Sequence, residues 1–315
     1  MTAPLRIGRT DLSLSLPLSL GGNVFGWTAD EDDSFAVLDG FVAAGGTLID
    51  TADVYSAWAP GHSGGESEAL LGRWMASRGN RDDVLVATKV GKHAALPGLS
   101  RGTIRAGVAA SLQRLQTDRI DLYYAHADDA DTPLEETVAA FGELVDEGLV
   151  RAVAASNYTA ERLSQALQIA EEAGVARFEA LQPHYNLLHR DEYEGELAAV
   201  VADHGLSCLP YSALASGFLT GKYRDGSPAV DSPRAQGASR YLDDRGRRTL
   251  AALDEVAAAH GVSVATVSLA WLAAQPTVVA PIASARSAAQ LPDVVAVGDV
   301  QLTDDELRSL REAAA

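Results

Sequence analysis

The stretch "LIDTADVYSAWAPGHSGGESEALLG", Leu48 to Gly72, decides how this chain is read. An apolar run stops abruptly at Asp50, and a phenol, Tyr55, follows five residues later. A short apolar run bounded by turn residues is the mark of a buried strand. A carboxylate and a phenol at the end of such a strand call for an explanation beyond packing.

Similar runs recur along the chain. Strands are expected at about Pro17–Gly21, Thr47–Asp50, Val84–Lys89, Ile120–His126, Arg151–Ser156, Ala180–Tyr185, Ser207–Tyr211 and Val278–Ile282. Helix patterns lie between them. "DEDDSFAVLDGFVAAG" has an acidic start and a stop at Gly45. "DTPLEETVAAFGELVDEG" offers Thr132 as N-cap, Pro133 at the first helical position and Gly148 as stop. "NYTAERLSQALQIAEEAG" repeats that grammar with Thr159 and Gly174. Eight strands, each followed by helix, predict a parallel α/β fold closed as a (β/α)8 TIM barrel. An open doubly wound sheet is the runner-up. It would usually carry G-x-G-x-x-G after its first strand, and "LGGNVFGW" does not match. The whole chain, residues 1–315, reads as a single domain. "LRIGRTDLSLSLPL" is expected to hold a short N-terminal hairpin. A long excursion between strands seven and eight contains the Gly-, Pro-, Ser- and Asp-rich "KYRDGSPAVDSPRAQGASRYLDD", a candidate mobile loop.

Composition narrows the partners. The net charge is -18 and the pI about 4.7, which disfavours nucleic acid and anionic membranes. The lone Cys208 permits a reducing compartment. With no secretory signal pattern and no long uninterrupted apolar run, a cytoplasmic protein is expected. Oligomeric state is not readable.

In such barrels the reactive groups sit at the C-terminal ends of the strands. Strand two ends in Asp50, with Tyr55 beyond; "VLVATKVG" ends strand three in Lys89; "IDLYYAHADD" ends strand four in His126. Singly, each has a structural reading: a turn cap, a snorkelling lysine, a packed tyrosine, a satisfied histidine. Together they require four coincidences on one rim. A free phenol titrates near 10, and a neighbouring ammonium favours its ionised form, so Lys89 is expected to lower Tyr55, with Asp50 holding Lys89. His126 can donate to a substrate oxygen. This set suits protonation of an alkoxide forming from a carbonyl, and it needs a hydride donor. Ser156, Asn157 and Gln182 lie at later strand ends; the amides of Asn157 and Gln182 suit a carboxamide, and Tyr211 offers a stacking face. "PIASARSAAQL" has the look of a helix N-terminus with Arg286 in its first turn, a phosphate site.

The segments "DTADVY", "GGESEALLGRW", "ATKVG", "DLYYAHADD", "AASNY", "LQPHYN", "YSALASGFLTGKY" and "APIASARSAAQL" together resemble the aldo-keto reductases, almost end to end. Within that family they resemble the bacterial branch with an extended loop after the tyrosine. The resemblance implies a barrel that binds NADPH (NADP+) without a Rossmann fold, no metal, and a small-molecule carbonyl substrate. It implies Asp50, Tyr55, Lys89 and His126 as catalytic residues. It carries cofactor contacts to Ser156, Asn157, Gln182, Tyr211, Ser212, Leu214, Gly217, Lys222, Ser284, Arg286 and Gln290. It places Trp27, Trp58 and His62 beside the substrate mouth. Ala154 and Ala213 stand where relatives have glycine and proline, and Val294 where an adenine-binding asparagine is usual. A cofactor-binding regulatory or sensor subunit, a Schiff-base aldolase using Lys89, and a metal-dependent hydrolase using His126 and Asp129 are the alternatives.

Overall fold

The computed structural model describes residues 5–224 and 232–315. Eight parallel strands form its sheet: β1 Ser19–Gly21, β2 Leu48–Asp50, β3 Leu85–Val90, β4 Ile120–Ala125, β5 Val150–Ser156, β6 Phe178–Gln182, β7 Ser207–Cys208 and β8 Ile282–Ala283. The order is β7-β6-β5-β4-β3-β2-β1-β8. The sheet closes on itself. Cys208 donates its N–H to Thr277 O at 2.8 Å and accepts from Val279 N–H at 3.0 Å, while β8 pairs with β1 on its other side. The fold is therefore the expected (β/α)8 barrel.

Three strands depart from their apolar runs by three residues or more, β8 beginning only at Ile282 rather than at Val278. β6 stops at Gln182 rather than Tyr185, and β7 at Cys208 rather than Tyr211. Pro183 and Pro210 each lack the N–H a ladder needs. Pairing resumes past both as an isolated bridge between His184 and Tyr211.

Alternation along each strand sorts side chains into two cores. Leu122 and Tyr124 point into the barrel, while Tyr123 packs outward under the helices. Ala87, Ala152, Ala154, Ala180 and Ala280 leave interior room for Leu48, Leu122, Tyr124 and Leu209. The glycine-to-alanine departure at Ala154 is thus absorbed by interior packing. Leu5–Arg6 and Ser13–Leu14 pair as an antiparallel hairpin, and Ile7, Leu12 and Leu14 join the interior core.

Helices α1 Glu31–Ala43, α2 Glu66–Arg78, α3 Arg101–Leu115, α4 Leu134–Asp146, α5 Ala160–Ala173 and α6 Glu196–Asp203 follow the first six strands. Asp30 and Thr159 cap α1 and α5 by accepting from Asp33 N–H and Arg162 N–H. Thr132 does not cap α4. Its hydroxyl donates to Asp129 at 2.7 Å, and Pro133 takes the N-cap position. After β7 come α7 Ala235–Ser239, α8 Asp244–His260 and α9 Val264–Ala273, and after β8 come α10 Leu291–Val295 and α11 Asp304–Ala313. Residues 225–231 of the expected mobile excursion lie outside the described residues. No single helix among the described residues is long and apolar enough to cross a membrane.

Candidate active site

A cavity of about 780 Å³ opens at the C-terminal ends of the strands. Its floor is built by β2, β3 and β4. Register places Asp50 beside Ala87 and Lys89 beside Tyr124, so the ends of three adjacent strands face one point.

Lys89 is completely buried, and its Nζ donates to both oxygens of Asp50 at 2.8 and 2.7 Å and to Thr51 O at 2.8 Å. It also reaches the Tyr55 hydroxyl at 2.9 Å. The Tyr55 hydroxyl lies 3.1 Å from Asp50 Oδ2, and Gln182 Nε2 donates to Asp50 Oδ1 at 2.9 Å. Asp50 therefore has partners on both oxygens. Tyr55 and His126 face each other across the cavity floor, ring centroids 6.3 Å apart.

The electrostatics correct one expectation. Tyr55 is not lowered; burial and the Asp50 carboxylate hold its phenol well above its ordinary range, against the weaker pull of Arg234. Lys89 is itself pulled down by burial, against the opposing attraction of Asp50. His126 is pushed down to about 2 by burial and by the Lys89 and Lys92 charges, so it is neutral near pH 7. Its Nδ1 is buried without a hydrogen-bond partner among the described residues.

The later strand ends form one wall. Ser156 Oγ donates to Gln182 O at 2.9 Å; Asn157 Nδ2 donates to His126 O at 2.8 Å; the Tyr211 hydroxyl donates to Asn157 Oδ1 at 2.8 Å. Asn157, Ser212, Ala215 and Ser216 all have positive φ, between 48° and 57°. Such backbone is unfavourable for residues other than glycine, and its clustering here marks a site whose shape the surrounding fold imposes. Ser212, Leu214, Gly217 and Lys222 continue the wall. Ser284 and Gln290 complete it, with Ser284 Oγ donating to Asn23 Oδ1 at 2.7 Å. Arg286 precedes the first helical turn rather than lying in it, and its N–H is held by Gln290 Oε1 at 3.0 Å. Asp293 and Val294 line the same cavity.

Every expected site residue lines the cavity except two. Lys89 lies beneath the floor. His62 is not brought to the cavity; it is half-buried elsewhere in the loop after Tyr55, while Trp58 lines the cavity. Trp27 and Trp58 meet edge to face, with centroids 5.5 Å apart.

Sequence reading missed Asn23, Lys92 and Arg234, all on the wall. Single polar residues in loops carry no periodic signal. Arg234 lies over the Trp27 ring at 5.7 Å, and its charge acts on both Tyr55 and Arg286. Lys222, Arg234 and Arg286 influence one another, and none forms an ion pair among the described residues. Three cations that act on one another, in one cavity of a chain with net charge -18, fit a phosphate-bearing cofactor. Gly21 adds to the fit, since a Cβ there would press to 2.6 Å from Ser284 Oγ.

His184, His189 and Glu192, separate in sequence, bring their donor atoms within 4.8 Å of one another. The two imidazoles are stacked, with centroids 3.7 Å apart and planes 15° apart, so their in-plane lone pairs run side by side. A shared ion needs those lone pairs to converge at about 2.0–2.1 Å. The stack instead backs the Tyr211 ring, 5.3 Å from His184.

Comparison with known proteins agrees with this architecture. The family model of the aldo/keto reductases matches residues 17–315. A probable voltage-gated potassium channel subunit beta of Oryza sativa subsp. japonica is 34% identical, covering 93% of this chain and 90% of its own length. Norsolorinic acid reductase B of Aspergillus parasiticus is 33% identical, covering 94% and 80%. The uncharacterised oxidoreductase YrpG of Bacillus subtilis is 33% identical, covering 97% and 94%. Plant, fungal and bacterial relatives appear together, so they single out no branch. A barrel with this rim, matched over nearly its whole length, belongs to the aldo/keto reductase family of oxidoreductases.

Proposed function

We propose that this protein is an NADPH-dependent reductase of aldehyde or ketone carbonyls, with Tyr55 as general acid. The observation that carries this reading is the buried Lys89 ammonium, bonded at once to Asp50 and to the one phenol that opens onto the cavity beside His126.

The reduced cofactor, when bound, supplies hydride to the carbonyl carbon. Lys222, Arg234 and Arg286 would hold its phosphates. Asn157 and Gln182 would hold its carboxamide, and Tyr211 would back its ring. Tyr55 donates its proton to the oxygen that becomes the alcohol. Held protonated at rest, it is loaded for donation, and the phenolate left behind lies 2.9 Å from the Lys89 ammonium. Neutral His126 donates an N–H to the carbonyl oxygen and orients it. Arg286 favours a 2′-phosphate and hence NADPH over NADH. Val294 offers adenine an apolar face. The long segment from Ser56 to Gly65 is the ground for placing the chain in the bacterial branch with an extended loop. We also read the chain as one domain working in the cytoplasm.

A second reading is favoured by the relatives named as potassium channel beta subunits. In that reading the same cavity binds cofactor for regulation, with slow or no turnover. Fluorescence titration with NADPH and NADH, with carbonyl reduction followed in the same samples, separates the two. Tight NADPH binding with turnover supports the reductase. Tight binding without turnover on any carbonyl supports the regulatory subunit. No binding of either nucleotide overturns both.

A further inference from the structure

The cavity has two ends of different chemistry. Lys222 and Arg286 stand at one, and Arg234 reaches from them toward the Trp27 ring, its charge acting on Lys222 and Tyr55 alike. Lys92 stands apart. It opens the two-stranded hairpin Lys92–His93 and Leu96–Pro97 directly after β3, paired with Pro97, and it lines the cavity beside His126. Its charge acts on His126, and although the residue is exposed at the rim, partial desolvation lowers its own basicity with no carboxylate opposing. Among the described residues its ammonium has no hydrogen-bond or ion-pair partner.

A solvated surface lysine is the ordinary reading of such a residue. Three observations argue otherwise. The chain carries 43 acidic and 25 basic residues, so an unpaired cation facing the reaction centre runs against its overall charge. The two carboxylates of the cavity wall do not neutralise it: Asp50 is occupied by Lys89, Gln182 and Tyr55, and Asp293 has no influence on it. The same cavity is lined by the one exposed large hydrophobic among the described residues, Trp58, in edge contact with Trp27 and 6.1 Å from Tyr55. Apolar rings at the mouth accommodate a flat aromatic body. A cation at its margin recognises an anionic group on that body.

We propose that the preferred substrates are aromatic carbonyl compounds bearing a carboxylate-class anion, and that Lys92 is the residue that selects them. This rests on the reductase reading and names its substrate class.

The test compares 4-carboxybenzaldehyde with its neutral methyl ester at saturating NADPH and low salt, in wild type, Lys92→Met and Lys92→Arg. Wild type is expected to favour the carboxylate by roughly tenfold in kcat/KM, mainly through KM, as for a partly desolvated charged contact. Lys92→Met should abolish that preference while changing ester reduction by less than about threefold, and Lys92→Arg should keep most of it. No preference in wild type, or a preference that survives Lys92→Met, overturns the proposal. Should neither aldehyde be reduced, the reductase reading fails. Quenching of tryptophan fluorescence by 4-carboxybenzaldehyde then decides the anion site: weaker binding in Lys92→Met supports it, and equal binding overturns it.

Discussion

Asp53 lies three residues beyond Asp50, yet its surroundings give it the opposite character. Asp50 is bonded by Lys89 and Gln182, whereas both oxygens of Asp53 are buried with no hydrogen-bond partner within reach among the described residues. Burial and the nearby Glu68 push Asp53 up to about 7, against the weaker pull of Arg114 and Lys89. The folded state therefore holds a proton that the unfolded chain releases near its ordinary value of 3.8. The stability this contributes is present below pH 3.8 and is lost as pH rises through 7. Asp53→Asn removes that loss. Its stability relative to wild type should grow between pH 4 and pH 8, reaching roughly 2–4 kcal/mol. Urea unfolding at several pH values measures it. A difference that does not change with pH would mean Asp53 is ionised and solvated in the fold.

At the scale of elements, α2 and α3 approach so closely that one glycine sets their spacing. A Cβ on Gly72 would lie 2.3 Å from Arg114 O and 2.7 Å from the Leu115 carbonyl carbon, both backbone. Neither can swing aside as a side chain does. Gly72→Val should cost about 1–3 kcal/mol in chemical denaturation. An unchanged midpoint would show that the two helices slide apart freely. The connection from β8 to α10 makes a functional prediction. Gln290 accepts from the Arg286 N–H and fixes the backbone, leaving the guanidinium unpaired among the described residues. Arg286→Ala should weaken NADPH binding by roughly tenfold or more and NADH binding far less. Equal weakening of both would remove Arg286 from recognition of the 2′-phosphate.

Across the whole molecule, barrel and rim were legible because both follow strand periodicity. The runs of the second, third and fourth strands end within a residue of the strands themselves, so Asp50, Lys89 and His126 could be aligned by counting. What stayed hidden has local causes. Pro183 and Pro210 ended strands early, Thr132 turned from its helix to Asp129, and His62 sits half-buried off the cavity wall. Lys92 and Arg234 come from irregular segments, where nothing in the sequence says which side chain folds inward. The balance of forces on Tyr55 was equally unreadable, since residue types do not show that burial and Asp50 hold the phenol up. The central claim is that Tyr55 delivers the proton. The most direct test measures NADPH affinity and carbonyl turnover side by side in wild type and Tyr55→Phe. The account predicts matching affinities and a turnover lower by about 10²–10⁴-fold in the variant. Turnover at the wild-type rate without the phenolic hydroxyl would contradict it.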